Sequence, residues 1–353
     1  MDQDPDTART AAAALAAHAV EDAGEDVAKS VEVTLLGGER KYTRIEVAKM
    51  AGVPLDRIHR LWRAMGFAAA GDDDVLFTDA DVTAARIGYD FVESGLIDSR
   101  LDAALTRTLG HFLSRLAEMQ VQVVWDWISK QPGLSPDEPE IATVVEAMLP
   151  TMQQLQDYIW RRHLAAFADR ALAAQAEAMD DPGAERVPRQ VVGFVDMVGY
   201  TRLTRQTDEH QLLDILERFE ALAADVVYEH HGRIVKMIGD EVLFVADSPA
   251  DAVEIAFSLG ERAAEDVAIP ELRTGLAYGR VVNRLGDVFG EVVNVAARLT
   301  SVARPDTVLV DSNLATVLRV AGGYEVRSIP ATSVRGYSRL RPYVVRRLRR
   351  RSR

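Results

Sequence analysis

Two stretches decide the fold of the second half of this chain: Val191-Val192-Gly193-Phe194-Val195-Asp196, and further on Arg233-Ile234-Val235-Lys236-Met237-Ile238-Gly239-Asp240-Glu241-Val242-Leu243-Phe244. The first is an apolar run closed by a carboxylate, which reads as a buried strand. The second reads as a β-hairpin that turns at Gly239-Asp240. Between them Leu212, Leu213, Ile215, Leu216, Phe219, Leu222 and Val226 recur at helical spacing, which predicts a helix near 208–230 with these residues buried. A second helix is predicted through 250–257, and further strands at 272–279, 307–310 and 343–345. The order predicts an α+β fold with a split βαββαβ core, its sheet containing antiparallel pairs and carrying helices on one face.

The polar residues in these elements are the candidate site. An aspartate that ends a strand is ordinarily a turn or cap residue, and Gly239-Asp240 alone is a hairpin turn. Their company changes that reading. In the run from Asp287 to Arg298, a turn at Gly290 opens a helix that places Asn294 and Arg298 four residues apart on one face. Beside Val293 and Ala297 they are expected to be buried, and so to need a ligand or partner. Asp196 and Asp240 suit magnesium, which takes one or two carboxylates and leaves places for phosphate and water. The backbone N–H groups of Val198, Gly199, Tyr200 and Thr201 are expected to meet phosphate at a helix N-terminus, with Gly199 permitting close approach.

Over roughly residues 187–347 these motifs together resemble the catalytic domain of the class III adenylate cyclases. The resemblance implies a ferredoxin-like cyclase domain converting ATP to 3′,5′-cyclic AMP and pyrophosphate, with two metal ions, Mg²⁺ or Mn²⁺, on Asp196 and Asp240. It implies that Lys236 and Asp287 read the adenine, Asn294 orients the ribose and Arg298 meets charge developing on the α-phosphate. Gly199, Tyr200 and Thr201 would approach the triphosphate, and Arg335 its terminal phosphates. A head-to-tail homodimer is also implied, with Asp196 and Asp240 from one protomer and Lys236, Asp287, Asn294 and Arg298 from the other in each site. Tyr200 and Phe289 stand where the family has other aromatic residues. Guanylate cyclases usually hold a glutamate and a small polar or cysteine residue in place of Lys236 and Asp287. A diguanylate cyclase would need glycine where Ile238 stands.

Composition sets outer bounds. The 353 residues allow two domains, and the absence of cysteine points to a reducing compartment. No apolar run is long enough to span a bilayer, and the acidic start is unlike a signal peptide, so a soluble cytoplasmic protein is expected. A net charge of −13 opposes wholesale nucleic-acid binding. The arginine-rich end from Arg346 to Arg353 is a local exception that reads as a solvated tail.

Residues 1–184 read as an all-α regulatory domain and 185–353 as the catalytic domain. Glycine-poor amphipathic helices dominate from Leu101 to Met179, and a linker helix at about 151–180 is followed by a break at Asp180–Ala184. Thr43–Phe67 reads as a helix-turn-helix of MerR-like type, with Ala48, Gly52 and Ile58 at its small, turn and buried positions. Its second helix offers Arg57, His59, Arg60 and Arg63 to DNA, but Asp72-Asp73-Asp74 beside it repel phosphate, so DNA is not the expected partner. A lipid or other small molecule is a candidate ligand of this half. The rival to an adenylate cyclase controlled by its N-terminal domain is a DNA-binding regulator with a nucleotide-sensing, cyclase-like domain.

Overall fold

A run that is apolar at nearly every position has no polar face to offer solvent, so β1 (Arg189–Met197) lies inside a sheet with a neighbour on each edge. The structure, a computed structural model, describes residues 26–132, 140–180, 189–334 and 337–348. By contacts the chain divides into two units, Met1–Ala176 and Glu177–Arg353.

In the second unit β1 pairs antiparallel with β3 (Glu241–Ala246) and with β4 (Leu272–Arg280). The sheet has seven strands in the order β2-β3-β1-β4-β7-β11-β8, adding β2 (Arg233–Ile238), β7 (Thr307–Val310), β11 (Tyr343–Arg347) and β8 (Tyr324–Ser328). Only the β4–β7 pairing is parallel among these strands. Helices α8 (Glu209–Glu229) and α9 (Pro249–Glu265) complete the predicted βαββαβ order. They cover one face of the sheet together with α11 (Ser312–Ala321), burying Phe219, Val226, Ile255, Leu259 and Leu314. Leu213 departs from the predicted buried stripe and is exposed.

Helix α10 (Glu291–Val302) lies on the opposite face, packing Val292 and Ala296 over Val192, Phe194, Leu243 and Ala277. Helices therefore cover both faces, and the prediction of one helical face is corrected. The reason lies in β4. A Cβ at Gly275 would sit 2.3 Å from the backbone nitrogen of Thr300 and 2.5 Å from the carbonyl oxygen of Ala296, so the α10 backbone rests directly on the strand. Thr300 Oγ1 then donates to the carbonyl of Phe194 at 3.2 Å, fixing α10 to β1 as well.

Several short elements were not predicted: the hairpins β5 (Val282–Arg284) with β6 (Asp287–Phe289) and β9 (Thr332–Val334) with β10 (Tyr337–Leu340), together with α11 and β8. Three-residue strands give periodicity too little to act on.

The first unit holds a helix over residues 26–36 (α1), then α2 (Arg44–Ala51), α3 (Leu55–Ala64), α4 (Asp79–Glu93), α5 (Ser99–Ser129) and α6 (Glu140–Asp180). Thr43 and Glu46 form a capping box at the start of α2, and Gly52 ends it in the left-handed region at φ 73°. Val47, Ala48, Ile58, Phe77 and Val82 form a small core around this helix-turn-helix. Arg57 does not face outward as the DNA reading required. Its Nη2 donates to Asp102 Oδ2 and to the carbonyl of Gly88, both at 3.1 Å, and its guanidinium stacks over Tyr89. Arg60 is paired with Asp56, and Arg44 with Asp72 of the acidic loop. The first unit is helical as expected, but the two long helices leave much apolar surface uncovered. From Leu155 onward α6 exposes Tyr158, Ile159, Trp160, Leu164, Phe167 and Leu172, and α5 exposes Trp125 and Trp127. Residues 1–25, the break at 181–184, Arg335 and the tail 349–353 lie outside the described residues.

Candidate active site

Register places the first cluster. Asp196, next to last in β1, is paired with Glu241 of β3 and with Arg273 of β4, so three charged side chains stand in one row across three strands. Arg273 Nε donates to Asp196 Oδ2 at 2.7 Å, and Arg273 Nη2 donates to the same oxygen. Asp240 sits in the β2–β3 turn, where its carbonyl accepts from Met197 N at 3.1 Å, holding the turn against the end of β1. Asp196 and Asp240 are thus brought together, as expected. Burial pushes the Asp240 carboxyl above the usual range, and the nearby Asp196 charge adds to the rise although its own backbone amide lowers it. Burial pushes Glu241 up to about 7, with the charges of Asp196 and Asp240 adding and Arg273 opposing.

The second cluster is built on different strands. Lys236 Nζ, from edge strand β2, donates to Asp287 Oδ2, from β6, at 2.7 Å. Val288 N donates to the other Asp287 oxygen at 2.8 Å. Partial burial raises the Asp287 pKa, but these two bonds outweigh it and hold the carboxyl below its ordinary value. Among the described residues no hydrogen bond or ion pair joins this pair to Asp196 or Asp240. Exposed Ile238, Val282, Leu285 and Phe289 lie on β2, on the β5–β6 hairpin and at its turn, the elements that carry the pair.

Asn294 and Arg298 share one face of α10, but the expectation that they are buried fails: Asn294 is exposed and Arg298 only half-buried. Helix α10 buries Val292, Ala296 and Leu299, leaving the face that carries Asn294 outward. Neither side chain has a hydrogen bond or ion pair among the described residues. Gly199 adopts φ 80° and starts α7 (Tyr200–Leu203), a helix of only four residues. The amide of Val198 is not available to a ligand, because it donates to Glu271 O at 2.8 Å. Tyr200 is half-buried against the main core, and burial together with Asp240 raises its pKa.

The donor set fits a divalent cation shared with substrate. Among the described residues no group of three or more His, Asp or Glu side chains makes a complete metal cage. Two half-buried carboxylates held at one strand end are what magnesium uses when phosphate and water fill its remaining positions.

Residues 184–347 match the adenylate and guanylate cyclase catalytic domain, and residues 8–164 match the adenylate cyclase regulatory domain. An adenylate cyclase of Streptomyces coelicolor is 44% identical over 300 residues, covering 84% of this chain and 77% of the relative. The chain belongs to the class III adenylate cyclases. An adenylate cyclase of Glutamicibacter nicotianae is 37% identical, covering 93% of this chain and 84% of its own. A pH-sensitive adenylate cyclase of Mycobacterium tuberculosis is 33% identical, covering 80% and 72%. The reaction of this cyclase is accordingly the conversion of ATP to cyclic AMP. No helix among its described residues is long and apolar enough to cross a membrane.

Arg273 and Glu241 are the polar neighbours of Asp196 that reading the sequence missed. Each lies in a predicted strand, and only the pairing of β1 with β3 and β4 reveals that they share a row.

The raised pKa of Glu241 has a consequence for stability. Between 4.5, the ordinary value, and about 7, the folded protein binds a proton that the unfolded chain has released. Stability from this group is therefore lost as pH rises through that window. In chelator-treated protein, Glu241→Gln should leave Tm unchanged near pH 4.5 and raise it above that of the parent at pH 8. Equal Tm values at pH 8 would show that Glu241 titrates in the ordinary range.

Proposed function

We propose that this adenylate cyclase works as a head-to-tail homodimer with two shared sites, and that its N-terminal unit restrains it. The observation that carries the dimer reading is that, among the described residues, no hydrogen bond or ion pair joins the Asp196–Asp240 carboxylates to the Lys236–Asp287 pair. Exposed Ile238, Val282, Leu285 and Phe289 beside that pair give a second copy an apolar surface to cover.

In each site Asp196 and Asp240 of one protomer would hold two divalent cations, Mg²⁺ or Mn²⁺. Such cations would lower the pKa of the ribose 3′-hydroxyl and neutralise phosphate charge. From the partner come the groups that position the nucleotide. Lys236 donates to adenine N1 and Asp287 accepts from the N6 amine, and their mutual 2.7 Å bond holds both heads ready for the base edge. Asn294 orients the ribose, and Arg298, which has no partner of its own among the described residues, meets charge that develops on the α-phosphate. Gly199, Tyr200 and Thr201 offer backbone N–H groups to the triphosphate, and Arg335 is assigned to its terminal phosphates.

Restraint by the N-terminal unit is the reading suggested by the match of residues 8–164 to an adenylate cyclase regulatory domain. A lipid or other small molecule remains the candidate signal, and its apolar contacts would be the side chains that α5 and α6 expose. A chain starting at residue 185 should show higher specific activity than the full chain at equal protein concentration. Equal activities at every pH from 5 to 8 would remove restraint from the reading.

Base choice is tested by exchanging the donor and the acceptor. Lys236→Glu combined with Asp287→Cys should lower kcat/KM for ATP by at least about 100-fold and raise it for GTP, since polar groups that a bound base covers and leaves unpaired discriminate strongly. An unchanged ATP to GTP ratio would assign the purine to other residues.

The shared site is tested by mixing two inactive chains. Asp196→Ala and Arg298→Ala proteins, each nearly inactive, should recover about a quarter of parental activity after exchange, because half the dimers are mixed and each has one intact site. A mixture shown by native mass spectrometry to contain heterodimers, yet as inactive as its parents, would overturn the shared site.

A further inference from the structure

We propose that Arg233 and Asn283 form a clamp that holds Asp287 in place beside Lys236, and that the preference for adenine over guanine depends on this clamp as well as on the pair itself. The inference rests on the proposed base-reading role of Lys236 and Asp287. Arg233 Nη2 donates to Asn283 Oδ1 at 3.2 Å, which joins β2 to the β5–β6 hairpin. Three residues further along β2, Lys236 joins the same hairpin through its 2.7 Å bond to Asp287. Two side chains of one strand thus grip two residues of one hairpin.

The two grips point the same way only because β2 is irregular. In a regular strand, residues three apart face opposite sides of the sheet. Here Arg233 pairs with Val245 and Ile234 with Phe244, but the next pairs are Lys236 with Leu243 and Met237 with Val242, so Val235 is an extra residue, a β-bulge. Directly opposed residues share a face. Val245 and Leu243 belong to the core under α10, whereas Phe244 and Val242 belong to the core under α8 and α9. The bulge therefore turns both Arg233 and Lys236 to the α10 face, where the hairpin buries its Val288. Without the extra residue Lys236 would join Ile234 on the opposite face, away from Asp287.

The hairpin needs this hold. It forms its own two-stranded sheet, and among the described residues no strand pairing ties it to the seven-stranded one. Asp287 follows directly on the turn at Leu285 and Gly286, whose φ values are 52° and 83°, so it stands at the far end from the attachments to β4 and α10. A small tilt of the hairpin displaces such a residue most. The Lys236–Asp287 bond is a poor restraint on that tilt during recognition, because both heads must turn to the base edge. Arg233 and Asn283 have no part in the proposed contacts with the base, so their bond stays made while the pair exchanges partners. It acts near the turn, since Asn283 precedes Arg284, which opposes Asp287. Adenine and guanine differ in where one edge places its donors and acceptors, and a site separates them only while its own donor and acceptor keep their spacing. Arg233 and Asn283 are accordingly positioning residues.

The test uses the full chain, with KM and kcat measured for ATP and Ki measured for GTP as a competitor. Asn283→Ala should raise KM for ATP about 5-fold, the scale of one hydrogen bond, with a smaller change in kcat and with Ki for GTP as in the parent. Loss of folded protein would lower the apparent kcat and leave KM and Ki alone, and general damage to the site would raise KM and Ki together; either result overturns the clamp. In an Arg233→Met background Asn283→Ala should have no further effect, because the bond is already absent. Full additivity would show that Asn283 acts through some other partner. Lys236→Ala separates the two levels of the reading. If it leaves the ratio of KM for ATP to Ki for GTP at the parental value, base reading by Lys236 fails and the clamp falls with it. If it shifts that ratio while Asn283→Ala does not, base reading stands and only the clamp fails.

Discussion

The register between β1 and β4 is the constraint on which the catalytic unit depends. Nine consecutive pairs, from Arg189↔Arg280 to Met197↔Leu272, join the two strands. Side chains alternate between sheet faces, so a slip of one residue would move Asp196 and Arg273 to opposite faces and bury a charge in the core. The same register sets Gly275 beside Phe194, and these positions seat α10 through Thr300. One strand pairing thus positions the Asp196 carboxylate, the arginine that pairs with it and the helix that carries Asn294 and Arg298. The apolar alternatives are not equivalent. Val191 and Val195 face the α8–α9 layer while Val192 and Phe194 face α10, and each set fits a differently shaped helical surface.

The unit also keeps its two charge clusters different in kind. The cluster at the end of β1 holds an excess of carboxylate, with Arg273 as the cation bonded to Asp196, and burial together with the neighbouring charges raises the pKa of Asp240 and of Glu241. Lys236 and Asp287 form a neutral pair at the surface, and there the carboxylate stays ionised. An acidic row needs cations to become comfortable. A neutral pair of one donor and one acceptor needs only a complementary edge. The electrostatics of the free chain therefore already separate an acidic cluster from a charge-neutral donor–acceptor pair.

Much of this was legible in the sequence, for identifiable reasons. The β1 run, the hairpin at Gly239-Asp240 and the helix after Gly290 are signalled by local pattern, and their polar residues stand at positions that folding alone does not require. Arg273 and Glu241 were not legible, because a charged residue in a strand acquires its neighbours only through non-local pairing. The face chosen by α10 was hidden for the same kind of reason. It depends on the absence of a side chain at Gly275, which in the sequence is one glycine in an ordinary strand. The predicted burial of Asn294 and Arg298 failed because four-residue spacing fixes only which residues share a face, not whether that face turns inward.

The helix-turn-helix of the first unit shows how a recognisable local motif can be turned to a different end. Arg57 stands on the helix that would read a groove, yet its side chain is 11% exposed and spends its donors on Asp102 of α5 and the carbonyl of Gly88 at the middle of α4. Its Nε is buried without a partner, a cost tolerated because the pair fastens α3 to α5. A cation invested in this way is not available to phosphate. The motif keeps its capping box, its turn glycine and its small core, all of which serve folding, and turns Arg57, one of the four side chains offered to DNA, inward. What it gains is a rigid attachment between a small globular core and the start of a 31-residue helix, whose exposed apolar side chains carry the surface still to be partnered.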